Sequence, residues 1–188
     1  MIVRKAELRD ALELEQLFHN TMEDVVTREE LQNHVFIEDE VTRLMSVFEA
    51  SLARTSTTTT LLVAIKNNSV VGTISLTNPG QIITNHVPEG SKARMVGTAY
   101  VHVDYQRQGV GKVLFTNILK VARTQNAEHV YLDAGFRSSR AYWQRMLGQP
   151  TIILPNFWSK GADHHIWSLD PLLKTTDLEV HRDKSNPI

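Results

Sequence analysis

The 188-residue chain contains no cysteine. That removes disulfides, thiolate-held metals and a cysteinyl acyl-enzyme, and it fits a reducing compartment. Long apolar runs are missing too: none approaches the ~18 residues of a membrane span. The opening MIVRKAELRD has no apolar signal-type core. The expectation is a soluble, cytoplasmic protein with no membrane partner. Nor is there a basic excess, since 20 Lys and Arg face 21 Asp and Glu for a net charge of −1. A nucleic-acid partner usually demands a clustered basic surface, so none is expected. No repeat or linker breaks the chain. It reads as one domain over 1–173, long enough to bury a core, followed by a polar, poorly ordered tail at 174–188.

What is present alternates between two periodicities. IVRKA (2–6) reads as a strand, and apolar residues from Leu8 to about Met22 recur at helical spacing. One or two more helices are expected over 27–54, where Thr27-Arg28-Glu29-Glu30 has the form of a capping box. The Thr-rich stretch at 55–60 reads as a loop entering a strand. TLLVAIK and VVGTISLT flank Asn67-Asn68-Ser69, a hairpin signature. Residues 79–93 read as a long polar loop, 94–104 as a strand, and the stretch after Gly109 as a helix. HVYLDAG (129–135) reads as a strand, and SSRAYWQRML (138–147) as a helix opened by Ser and closed at Gly148. TIIL and HHIWSL form a last hairpin across the loop 155–163. This order predicts an α/β (α+β) domain with a mixed sheet.

The chemistry-bearing stretch is Y-Q-R-Q-G-V-G-K at 105–112, between an apolar strand and a helix. A Walker A loop fails, because Gly111-Lys112 is followed by Val113 and Gln106 stands at the first glycine position. A dinucleotide fingerprint fails as well, with Leu114 at its third glycine. Strand, then Q-x-x-G-x-G, then helix remains. Such a turn suits an anion, because glycines admit a close backbone approach and a helix start presents unpaired N–H groups. A plain strand-to-helix turn is the alternative on spacing alone.

The segment V-H-V-D-Y-Q-R-Q-G-V-G-K-V-L-F (101–115) resembles the coenzyme A loop of the GCN5-related N-acetyltransferase (GNAT) superfamily, pattern [Q/R]-x-x-G-x-[G/A], with Gln106, Gly109 and Gly111 at the matching positions. V-Y-L-D-A-G followed by S-S-R-A-Y-W-Q-R-M-L-G resembles the family's fifth strand and the helix after it. The resemblance implies a GNAT fold: a mixed, mostly antiparallel sheet of about seven strands, splayed between the fourth and fifth and flanked by helices. It implies acetyl-CoA as co-substrate, with pantetheine along Tyr100, Val101, His102 and Val103. The pyrophosphate would lie on amides from Arg107 through Gln108, Gly109, Val110 and Gly111 to Lys112, after Gln106. The reaction implied is acetyl transfer to a primary amine by direct attack in a ternary complex. The alternative is a non-catalytic acyl-CoA-binding or partner-binding module.

Two departures from the family pattern bear on catalysis. The tyrosine often found four residues before the L-G glycine falls here on Gln144, or on Arg145 counted from Ala141, so Tyr142 is the phenol available as an acid. The fourth strand carries no Glu, which leaves His102, Asp133 and Tyr100 as bases, or a water chain. His164 and His165 are adjacent on a strand and point to opposite faces, so no metal site is expected. Twelve of the 21 acidic residues lie in 1–50 against five Lys or Arg, a solvated face or an acidic rim that steers a cation. The implied partner is a small-molecule or peptide amine, of cationic character on that second reading, and the protein a monomer or homodimer.

Overall fold

A computed structural model describes residues 1–31, 35–53, 58–88 and 90–172. The tail at 174–188 and residues 55–57 of the Thr-rich stretch, two of the sequence expectations, lie outside the described residues. Among the described residues there are seven strands and five α-helices. In chain order they are β1 (Ile2–Lys5), α1 (Ala11–Arg28), α2 (Val35–Leu52), β2 (Thr60–Lys66), β3 (Ser69–Thr77), α3 (Gln81–His86), β4 (Arg94–Val101), α4 (Val110–Thr124), β5 (Val130–Ala134), α5 (Arg137–Leu147), β6 (Ile152–Ser159) and β7 (Ala162–Leu169). The strands form one mixed sheet in the order β1-β2-β3-β4-β5-β7-β6. The α/β class and strand number match the expectation.

The chain divides into two compact units, one of Met1–Asn78 with Val96–Ile118, the other of Pro79–Met95 with the chain from Leu119 onward. In the first, β1, β2 and β3 pair antiparallel. Asn67 and Asn68 turn the β2–β3 hairpin with φ of 53° and 63°, the left-handed conformation that a two-residue turn needs and Asn tolerates. Leu14, Leu17, Phe18 and Met22 of α1 and Leu44 and Phe48 of α2 are buried, with Val63, Ile74 and Leu76 of the strands. Leu8 and Leu12, read as part of the α1 stripe, are exposed instead. Asp10 is buried before α1 and takes two 2.7 Å hydrogen bonds from the Arg4 guanidinium on β1. That bidentate pair and the Arg9 charge hold its carboxyl below the usual range, and the Glu7 N–H also donates to it.

Two expectations about helix ends are corrected. Thr27 opens no helix: it lies inside α1, where its hydroxyl donates to the Glu23 carbonyl at 2.8 Å. The apolar stripe simply runs on through Val25 and Val26, which are buried. The capping box is at Glu7 and Asp10, one turn before α1. Likewise α5 opens at Arg137 after Phe136, and Ser139 bonds back to the Phe136 carbonyl.

In the second unit, β7 pairs antiparallel with β5 and β6. The stretch at 79–93, expected as loop, contains α3 and a 3₁₀ turn at Gly90–Lys92, and buries Ile83, Val87 and Ala93 with Tyr131 and Ile166. The last hairpin is longer than expected. Its turn is Lys160-Gly161, and the β6 register breaks between Leu154 and Ser159, so 155–158 bulge out with Phe157 and Trp158 exposed.

Candidate functional site

The loop predicted to hold an anion lies wholly in the first unit, and its shape is set from both ends. β4 stops at Val101, not at 104 as expected, because the chain tightens into a 3₁₀ turn at Val103–Tyr105. The His102 N–H donates to the Val71 carbonyl of β3 at 3.0 Å, pinning the end of β4. The Gln106 amide nitrogen donates to the Val101 carbonyl at 3.1 Å and so closes the loop onto the strand it left. Gln108 donates to the Asp104 carbonyl and accepts from the Lys66 ammonium, which also sits 5.2 Å from the centre of the Tyr105 ring. Both glutamines therefore brace the loop with their side chains.

The backbone then turns left-handed twice, with φ of 57° at Arg107 and 83° at Gly109. A Cβ built on Gly109 meets nothing within 4 Å, so the requirement there is conformational. α4 starts at Val110, and the Val113 N–H donates to the Gly109 carbonyl at 3.1 Å. The amides of Val110 and Gly111 precede it and point out of the helix start, where the partial positive charge of the helix is greatest. Gly72 on β3 allows this helix to settle, since a Cβ there would lie 3.0 Å from the Tyr100 carbonyl and 3.1 Å from Leu114. The result is a braced turn that leads from β4 into the start of α4.

His102, a candidate base, acts here as a cap. Its Nδ1 accepts from the Asp104 N–H at 3.3 Å, and its ring meets Tyr105 edge-on. Tyr100 must also be corrected as a base. Burial foremost, and then the Glu40 carboxylate, push its phenol far up, and its hydroxyl donates to Glu40 Oε1 at 3.1 Å. Glu40, on α2, is held by a bidentate fork from Arg43. It was not singled out from the sequence, where it is one of many acidic residues on a helix.

The second unit holds the other candidates. Tyr142 is on α5, its hydroxyl 3.6 Å from the Met146 sulfur and its ring edge-on to Trp143, which is buried. Burial pushes its phenol up, and the Arg145 charge offsets this in part. Asp133, on β5, lies 3.3 Å from Nε2 of His164 on β7. His164 Nδ1 in turn accepts the indole N–H of Trp158 at 3.0 Å. Sequence reading considered Asp133 and His164 separately and set Trp158 in a loop. The β5–β7 pairing that joins them has no local signal. Among the described residues no group of three or more His, Asp or Glu is gathered to hold a metal. No described helix is long and apolar enough to cross a membrane.

A sequence model of the acetyltransferase (GNAT) family matches residues 18–149. No curated protein matches the chain in sequence. A GNAT-family protein from Desulfovibrio desulfuricans superposes with a TM-score of 0.68 at 15% identity, covering 90% of this chain and 98% of its own. The PaiA N-acetyltransferase of Thermoplasma acidophilum, solved with coenzyme A, gives 0.64 at 12% identity, covering 89% and 98%. YncA of Salmonella typhimurium, solved with acetyl-CoA, gives 0.62 at 14%, covering 93% and 95%. At such identities the structures testify to the shared fold.

Proposed function

The chain belongs to the acetyltransferase (GNAT) family, and on that premise we propose that it moves an acetyl group from acetyl-CoA to a primary amine by direct attack in a ternary complex. The observation that carries this reading is the loop at 105–112: two left-handed residues, two bracing glutamines and the start of a helix at Val110. A pyrophosphate is the anion that such a cradle suits. Structural relatives holding coenzyme A or acetyl-CoA support the choice of donor.

In this reading the amides from Arg107 to Lys112 hold the pyrophosphate, and the chain at Val101, His102 and Val103 pairs with the pantetheine arm. The neutral amine attacks the thioester carbonyl, the C–N bond forms, and collapse of the tetrahedral intermediate breaks the C–S bond. The amine proton leaves to water, and the departing thiolate takes a proton from Tyr142. An alkyl amine with a pKa near ~10.4 is mostly charged at neutral pH, so its deprotonation is the demanding step; a thiol near ~8.5 asks less of its acid. Tyr142 suits the acid role because burial keeps it protonated and its recorded hydrogen-bond partner is a soft thioether. His102 enters as the residue that shapes the turn into the loop. The acceptor is a small-molecule or peptide amine, and the acidic excess of 1–50 favours one with positive charge.

The test is release of free thiol from acetyl-CoA over a panel of amines, by the wild type and by Gly111→Trp. Turnover by the wild type and its loss in the variant are expected, since an indole at the second loop glycine fills the pyrophosphate path. Unchanged turnover in Gly111→Trp overturns the loop assignment. Acetyl-CoA binding with no thiol release from any amine points instead to a non-catalytic acyl-CoA sensor.

A further inference from the structure

We propose that Lys66 is a phosphate-binding residue for the donor: its ammonium brings to a phosphate group of coenzyme A the full positive charge that main-chain amides lack. The proposal rests on the acetyl-transfer reading above and adds a residue to its donor loop.

Lys66 ends β2, and the left-handed Asn67-Asn68 turn that follows fixes its backbone. It pairs with Ser69 across that turn. Two residues further, the Val71 carbonyl accepts the His102 N–H at 3.0 Å, so the end of the hairpin and the start of the loop are joined. Lys66 and the whole of the loop belong to one compact unit.

The side chain then reaches the loop itself. Lys66 Nζ donates to Gln108 Oε1 at 2.9 Å, and the same amide is held from its other side, where Nε2 donates to the Asp104 carbonyl at 2.6 Å. The ammonium also lies 5.2 Å from the centre of the Tyr105 ring. A glutamine side chain reaches about 5 Å from its Cα. The charge is therefore no more than about 8 Å from the Gln108 main chain, next to the left-handed Gly109. No local signal joins Lys66 to Gln108, 42 residues further on.

What holds this ammonium leaves its charge intact. An amide oxygen and a ring face are both neutral, and among the described residues no carboxylate pairs with Lys66. Elsewhere in the unit the guanidinium groups of Arg4, Arg9, Arg28 and Arg43 each face one. Asp104, the one carboxylate between Val101 and Lys112, is 79% exposed and lies 3.8 Å from His102 Nδ1. A lysine ammonium has three N–H donors, of which Gln108 takes one. Donors remain for an anion, on a side chain whose rotamers are restricted before any ligand arrives.

The ligand asks for such a charge. Coenzyme A carries a pyrophosphate and a phosphate monoester on its ribose, whereas amides bring no net charge and a helix start only about half of one. A separation of about 8 Å is within a Debye length at ordinary ionic strength, so the attraction survives in solution. For a doubly charged phosphate group at that distance in water, it corresponds to about fivefold in affinity.

Calorimetry with coenzyme A and with its 3′-dephospho form, at low and high salt, tests this on the wild type, Lys66→Met and Lys5→Met. Lys66→Met keeps an apolar stem and removes the charge, so its Kd for coenzyme A should rise about fivefold at low salt. High salt screens the charge and should bring the two proteins together, which also shows the variant to be folded. Lys5→Met removes an equal charge from β1, opposite Leu62 and four residues along β2 from Lys66, and should bind as the wild type does. A loss confined to coenzyme A identifies the 3′-phosphate as the group held. An equal loss with the dephospho form identifies the pyrophosphate, and either result supports the proposal. An unchanged Kd in Lys66→Met, or an equal loss in Lys5→Met, overturns it. So does a loss that salt does not reduce, which would make Lys66 a structural brace alone. Acetyl transfer stands in all three cases, whereas a wild type that binds no coenzyme A brings down both.

Discussion

Tyr142 shows what a single side chain's surroundings decide. A phenol in water ionises near ~10; here burial moves it higher, and Arg145 only partly opposes the shift. An acid works in its protonated form, which is held below its pKa. A raised value therefore keeps Tyr142 competent through mildly alkaline assays. Tyr142→Phe is expected to lower kcat about tenfold, less than the ~10²–10⁴-fold typical of general acids because a thiolate leaves easily, with KM for acetyl-CoA unchanged. The wild-type rate should show no alkaline fall from this group below pH ~10. Steady-state thiol release across pH measures both, and a variant with full kcat would remove Tyr142 from the chemistry. At this scale the sequence was legible where a residue acts through local backbone. Gly109 and Asn68 stand at positive φ, as a loop glycine and a turn Asn suggest. It was opaque where a role depends on a distant partner. Nothing near Tyr100 in the chain announces Glu40, 60 residues away, and nothing near Asp133 announces His164.

Among the elements, α5 ends as the Leu147-Gly148 pair predicts, and the way it ends is open to test. Gly148 has φ of 83° and ψ of −159°, a region that side chains with a Cβ scarcely enter. Its N–H donates to the Gln144 carbonyl at 2.9 Å and its carbonyl accepts the Trp167 indole N–H at 3.0 Å, so the residue cannot relax without breaking bonds to the helix or to β7. Gly148→Ala should cost about 2 kcal/mol, seen as a lower denaturant midpoint with unchanged slope. An unshifted midpoint would mean that the end of the helix relaxes freely. The elements legible in advance share strong periodicity: the β2–β3 hairpin around two asparagines, and α4 with Val110, Leu114, Ile118 and Leu119 buried along one stripe. Those misread lack it. α3 has six residues, too few to display a helical repeat between Pro79 and Pro88. β6 contains Pro155 and the bulge, so its inward-outward alternation fails after Leu154 and only the first half reads as strand.

For the whole molecule, donor binding and folding are linked. Anything that binds the native chain and not the unfolded one adds RT ln(1 + [L]/Kd) to its stability, about 2.7 kcal/mol at a hundredfold excess over Kd. The cradle at 105–112 exists only when β4, its 3₁₀ turn and α4 are all in place, because its bracing bonds run from Gln106 to Val101 and from Lys66 to Gln108. An unfolded chain presents no such set of amides, so the full linkage should appear. For a chain of this size that amounts to a rise in Tm of about 5–10 °C. Coenzyme A and acetyl-CoA should give the same rise if, as proposed, the loop holds the pyrophosphate handle and not the acyl group. Adenosine alone should give little. Gly111→Trp should melt close to the unliganded wild type and not respond to either ligand. A shift that persists in that variant would place the donor away from the loop, and a shift with acetyl-CoA but not coenzyme A would mean that the acyl group supplies the affinity. Equal shifts with both donors, abolished by one bulky residue at the second loop glycine, would tie the element most legible in the sequence to the ligand it was read to hold.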